Sequence, residues 1–144
     1  MIKTIKNNWF QHEIKTVYGT TAHIISCYII MNIIRPFEKQ IIRMLTKEAL
    51  SSSLVEKLLI SEISNYRVTG VGYFFEIPNE DLPKGRIVCN SPTLILDLKG
   101  WSAGFVLFIQ DKELTFECHG WGGELPNEFR DIVPIKYNLK ISST

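Results

Sequence analysis

Residues 103–118 read AGFVLFIQDKELTFEC. The first half, AGFVLFIQ, is apolar on both faces of a strand, which indicates a strand in the middle of a sheet. A predicted turn at Asp111 and Lys112 follows, and apolar side chains then alternate with polar ones through ELTFEC. This stretch therefore predicts a β-hairpin at the centre of a sheet.

Two helices are predicted before the strands. Pro36 marks the start of the first helix, because proline is favoured in a first helical turn. Ser53 and Glu56 have the Ser-x-x-Glu spacing of a capping box, which makes Ser53 the predicted N-cap of the second. Each helix has one apolar face, formed by Phe37, Ile41, Met44 and Leu45 in the first and by Leu54, Val55, Leu58, Leu59 and Ile63 in the second.

The remaining strands follow from alternation of apolar and polar residues at 71–77, 93–99 and 135–141. With the hairpin they make a sheet of about five strands. The predicted fold is α+β, with two N-terminal helices packed on one face of a mostly antiparallel meander. A chain of 144 residues is long enough to bury its own core as a single domain.

Composition argues against several classes of function. Sixteen Lys and Arg against 15 Asp and Glu give a net charge of +1, so no overall field attracts nucleic acid or an anionic membrane. The apolar run at 24–34 is shorter than the roughly 20 residues of a spanning helix, and no cleavage site follows it. Three irregularly spaced cysteines fit a reducing compartment. We therefore expect a cytoplasmic protein that binds neither nucleic acid nor a membrane.

Cys118 and His119 are adjacent and invite a reading as a nucleophile with its base, or as metal ligands. Neighbouring side chains in a strand point to opposite faces, so these two do not readily meet. Cys118 aligns with the apolar face of its strand and is expected in the core. His119 ends the strand and is expected at the surface. No zinc or nucleotide-binding spacing occurs, so we predict no catalytic residue, metal or cofactor.

Three carboxylates, Glu76, Asp97 and Glu117, fall on the face opposite the leucine-rich side of their strands. If they converge, paired carboxylates can perform general acid–base chemistry; if not, they form a solvated face. Phe74 and Phe108 share this face, and a mixed apolar and acidic patch needs a cover. The predicted partner-binding residues are Glu76, Asp97, Glu117, Phe74, Phe108, Trp121 and His119.

The cover has two candidate sources. One is the N-terminal segment, residues 1–30, whose Trp9, Phe10 and Tyr18 are large enough to occupy such a patch. The other is a partner protein, for which exposed aromatic side chains would serve as anchors. Both alternatives predict that this face is in contact with protein.

Three blocks carry a family resemblance: MNIIRPFEKQIIRML, TGVGYFFEI and AGFVLFIQDKELTFE. They resemble a family of small, largely uncharacterised bacterial proteins with a Pro-Phe-Glu helix and a Gly-Phe-aliphatic-Leu-Phe hairpin. Cys118 stands where the relatives have Gly, which disfavours a cysteine mechanism, while Glu117 is retained. Because the relatives begin near Met31, the resemblance implies a core at 31–144. Residues 1–30 are then either an extension peculiar to this protein or the result of a start codon assigned too far upstream in the gene.

The function we expect is that of a bacterial immunity protein, in a toxin–antitoxin or contact-dependent growth inhibition system. Small bacterial proteins without a catalytic signature resemble such immunity factors, which bind and occlude a cognate toxin, here a nuclease-like one. The near-neutral charge weakens electrostatic steering toward a basic toxin. The alternatives are a small enzyme that uses the carboxylates or His119, and a small-ligand-binding module.

Overall fold

The structure is a computed structural model that describes residues 32–142. The described residues from Ile34 onward form one compact unit. The predicted N-terminal extension, and its role as a cover, lie outside the described residues. In chain order the elements are α1 (Pro36–Thr46), α2 (Ser52–Leu59), β1 (Ser64–Val68), β2 (Gly72–Pro78), β3 (Ile87–Cys89), β4 (Thr93–Leu98), β5 (Trp101–Gln110), β6 (Glu113–Gly120), α3 (Phe129–Ile132) and β7 (Asn138–Ser142).

The α+β class with N-terminal helices is confirmed, but residues 32–142 form a sheet of seven strands instead of the predicted five or so. The two strands missed are β1 and β3. Almost every position of β1 is exposed, so its sequence lacks the alternation that marks a half-buried strand. β3 is three residues long, which is too short to show a period.

All strand pairs are antiparallel, in the order β1-β2-β6-β5-β4-β7, and β3 pairs with β5 as well. β2 thus pairs with β6, whereas a meander would place it beside the next strand in the chain. The β5–β6 hairpin is present as predicted. Its turn residues Asp111 and Lys112 have φ angles of 51° and 63°, the left-handed pair that suits the twist of a two-residue hairpin.

The start of α1 is confirmed and the predicted cap of α2 is wrong. Pro36 is the first residue of α1. The N-cap of α2 is Ser51, whose Oγ accepts a hydrogen bond from the Leu54 N–H at 3.3 Å. Ser53 already lies in the first turn, and Glu56 pairs with Arg43 at 2.9 Å instead of closing a capping box.

The core lies between the helices and the inner face of the sheet. Phe75 and Phe116 stack there with ring centroids 4.8 Å apart, and the Phe37 ring of α1 lies 6.4 Å from that of Phe105. Cys118 is 1 % exposed, so its predicted place in the core is confirmed. Among the helices of residues 32–142, none has the length and apolar character needed to cross a membrane.

Candidate functional site

The sheet has a second face, directed away from the helices, which we call the open face. Side chains on it are half-buried, whereas their neighbours along the same strands are fully buried on the inner face. Strand register places two rows of three residues directly opposite one another across β2, β6 and β5. These rows are Phe74–Glu117–Val106 and Glu76–Thr115–Phe108.

The three predicted carboxylates share the open face but do not converge. Glu76 is directly opposite Thr115, so Glu117 is its diagonal neighbour at about 7–8 Å between Cα atoms. Asp97 is directly opposite Ser102 on β5, two strands from β6. Strand spacing and rise place Asp97 roughly 17 Å from Glu117.

Two of these carboxylates have partners within the fold. The Asp97 carboxylate pairs with Lys140 Nζ at 2.5 Å and accepts a hydrogen bond from Ser102 Oγ at 2.6 Å. The Lys140 contact first, and then the Ser102 hydroxyl, hold the pKa of Asp97 below its ordinary value. Glu76 Oε2 accepts from Asn65 Nδ2 at 2.6 Å. The three carboxylates are therefore separate charges on the open face and not one acid–base pair.

His119 and Trp121 occupy the space above a glycine on β5. His119 is directly opposite Gly104. A Cβ atom on Gly104 would lie 2.8 Å from His119 Nε2 and 2.8 Å from Trp121 Cε3, closer than side chains pack. The absence of a side chain at Gly104 thus lets both rings settle against the strand. His119 was predicted to end the strand at the surface, but it is half-buried on the open face and β6 continues to Gly120.

Two grooves lie on this part of the sheet, one at each end of β5. The first, which we call the tryptophan groove, has a volume of about 390 Å³ and is lined by Asp97, Leu98, Gly100, Trp101, Ser102, Trp121, Gly122, Gly123 and Glu124. Its two tryptophans are 40 % and 47 % exposed, which is high for such large apolar side chains. The second, which we call the Phe108 groove, has a volume of about 340 Å³ and is lined by Phe108, Gln110, Asp111, Glu113 and Thr115.

The Phe108 groove is acidic at its rim. Desolvation, followed by the charges of Glu76 and Asp111, raises the pKa of Glu113. The negative charges of Glu76 and Asp111 therefore add to burial in disfavouring the ionised form of Glu113. A guanidinium already lies near the ring, because Arg86 Cζ is 5.9 Å from the Phe108 centroid.

The inner face holds a buried charged cluster that was not predicted from the sequence. Glu38 is fully buried and contacts Arg130 Nε at 2.6 Å and the Tyr73 hydroxyl at 2.8 Å. The Arg35 backbone N–H donates to the other carboxylate oxygen of Glu38 at 2.7 Å. Burial, and then the Glu38 charge, raise the pKa of the Cys118 thiol well above its ordinary value.

One signal for this cluster was present in the sequence. Glu38 lies at the same helical spacing as Ile42 and Leu45, four and seven residues further on, so it is a charge within an apolar stripe. Arg130 carries no comparable signal, because it belongs to α3, a four-residue helix. The cluster joins α1, β2 and α3 and is inaccessible to a partner.

Residues 32–142 contain no group of three or more His, Cys, Asp or Glu side chains arranged to hold a metal ion. Comparisons with protein-family models, curated proteins and solved structures give no match to this chain.

Proposed function

We propose that the chain is a cytoplasmic bacterial immunity protein, which binds a cognate protein toxin through the open face and occludes it. The observation that carries this proposal is the central row of that face, where Glu117 lies between Phe74 and Val106. Half-exposed aromatic and aliphatic side chains provide the contact area on which protein interfaces depend. The carboxylates around them set the orientation of a basic partner.

The sheet behind this row is suited to hold it in place. β6 is hydrogen-bonded to β2 on one side and to β5 on the other. The inner side of these strands is anchored by fully buried side chains such as Phe75 and Phe116. Binding groups on rigid strands lose little conformational freedom on association, which favours affinity.

The proposal predicts that two substitutions on the open face abolish protection. The double variant Phe74→Ala/Glu117→Lys removes an aromatic anchor and reverses the central charge. Loss of one anchor typically costs about 2 kcal/mol or more, so we expect the complex to weaken at least about thirtyfold. The measurement is growth of cells that co-express the chain with the protein encoded directly upstream of its gene, together with size-exclusion chromatography of the pair.

The matched control carries the same kinds of change away from the open face. Ile60→Ala/Glu48→Lys removes an apolar side chain that is 85 % exposed after α2 and reverses an exposed charge after α1. We expect this control to protect like the wild type, and circular dichroism should show both variants folded. A wild-type chain that neither protects nor forms a complex would falsify the proposal. Full protection by the open-face variant would show that another surface binds.

A further inference from the structure

The Phe108 groove has a composition that selects one kind of group. An aromatic ring forms its wall and two carboxylates, Asp111 and Glu113, stand at its rim. Glu76 is directly opposite Thr115, so it is a diagonal neighbour of Glu113 and adds a third negative charge beside the groove. Of the described residues that line this groove, none is basic. A cation is attracted both by the face of a ring and by the carboxylates beside it.

The chain itself shows that the ring accepts a guanidinium. Arg86 Cζ lies 5.9 Å from the Phe108 centroid, within the range of a cation–π contact. Arg86 is exposed and precedes the short strand β3, so its side chain is displaced easily. The other nearby cation, the Lys112 ammonium, forms an ion pair with Glu80, with 2.7 Å between Nζ and Oε2.

We infer that the Phe108 groove receives an arginine side chain of the protein partner, stacked on Phe108 and paired with Asp111 and Glu113. This inference rests on the proposed function, since it assigns the partner's anchor on the same open face. Arginine fits better than lysine because a planar guanidinium stacks on a ring and pairs with carboxylates at once. Its positive charge would also offset the charges of Glu76 and Asp111 that act on Glu113.

The test uses the full chain, labelled with nitrogen-15, and a short capped peptide made only of arginine. We expect amide shifts to change at Phe108, Glu113 and Thr115 as the peptide is added. A peptide of citrulline, the neutral isostere of arginine, should not bind. Equal binding of the citrulline peptide, or shifts confined to the tryptophan groove, would overturn the inference.

Removing acidic side chains from the groove and removing Arg86 beside it should change the affinity for the arginine peptide in opposite directions. Asp111→Asn/Glu113→Gln should weaken binding of the arginine peptide about fivefold to tenfold, because two partly exposed ion pairs are lost. Asparagine tolerates the left-handed backbone at position 111, so the turn is retained. Arg86→Gln should tighten binding, because it removes a cation that competes for the ring. Unchanged binding by either variant counts against the inference.

Two controls separate local from general electrostatics. Glu48 and Lys47 are both exposed and follow α1. Glu48→Gln removes one negative charge, as a control for the acidic groove variant, and Lys47→Gln removes one positive charge, as a control for Arg86→Gln. We expect neither to alter peptide binding by more than about twofold, since screening is strong beyond about 10 Å. If the chain protects cells through the open face but the arginine peptide does not bind in the Phe108 groove, the proposed immunity function is retained and the inferred arginine anchor is wrong. If the peptide binds but no toxin does, the immunity function is wrong.

Discussion

Glu38 illustrates how a single residue ties together distant parts of the chain. Its carboxylate is held by Arg130, which is 92 residues away, and by the Tyr73 hydroxyl, which is 35 residues away. The Arg130 guanidinium also lies over the Tyr66 and Phe75 rings, at 5.1 and 5.4 Å from their centroids. A buried charge of this kind is tolerated only because its hydrogen bonds are satisfied.

We predict that breaking this cluster is far more costly than replacing it. Arg130→Met leaves the Glu38 charge buried without its guanidinium partner, and should lower the free energy of unfolding by about 3–5 kcal/mol. The double variant Glu38→Gln/Arg130→Met removes both charges. Its loss of unfolding free energy should be smaller than the sum of the losses caused by Glu38→Gln alone and Arg130→Met alone. The measurement is urea denaturation of all four proteins. Additive costs would show that the two side chains do not act as a pair.

At the same scale, the spacing of side chains along the chain predicted the burial of one residue and missed the contact made by another. Cys118 follows Leu114 and Phe116 at two-residue spacing, and the structure buries it with them. Helical spacing puts Glu38 in the apolar stripe of α1, but it does not identify the partner Arg130, which is brought near only by the tertiary fold. Periodicity indicates which face a side chain takes, but not which distant charge it meets.

Among the elements, α2 offers a sharp test because the sequence has three consecutive serines before and within it. Only Ser51 has the extended backbone of an N-cap and accepts the Leu54 N–H. Ser51→Ala should therefore destabilise the protein by about 1 kcal/mol. Ser53→Ala is the matched control and should cost less than about 0.5 kcal/mol, since alanine has the better helix propensity. Thermal unfolding of both variants measures this, and a larger loss for Ser53→Ala would place the cap where the sequence pattern put it.

Elements in which apolar residues recur at regular spacing were predictable from the sequence, whereas short, exposed elements were not. The β5–β6 hairpin lies where its apolar run and turn residues placed it. The predicted strand at 135–141 begins only at Asn138, because α3 and the turn after it take up the preceding residues. The carboxylate face was also predicted, since alternation sets it, but the separation of Asp97 from Glu117 depends on strand order.

Strand order is a property of the whole molecule that no local pattern encodes. β2 is hydrogen-bonded to β6, although β3, β4 and β5 come between them in the chain. This arrangement places the central row of the open face on three adjacent strands, β2, β6 and β5, none of which lies at an end of the strand order. The sequence predicts the residues of that row, and only the long-range pairing makes them neighbours.

The same topology predicts how stability is distributed through the sheet. β5 and β6 are hydrogen-bonded on both edges and carry fully buried side chains, whereas β7 lies at the end of the strand order and is mostly exposed. Amides of β5 and β6 should therefore exchange with deuterium at least about a hundredfold more slowly than those of β7, after correction for intrinsic rates. Nuclear magnetic resonance measures this residue by residue, and repeating it at a second pH checks that exchange follows the opening equilibrium. β7 amides protected as strongly as those of β6 would contradict this order, because a terminal strand can open without disrupting the pairs between β2, β6 and β5.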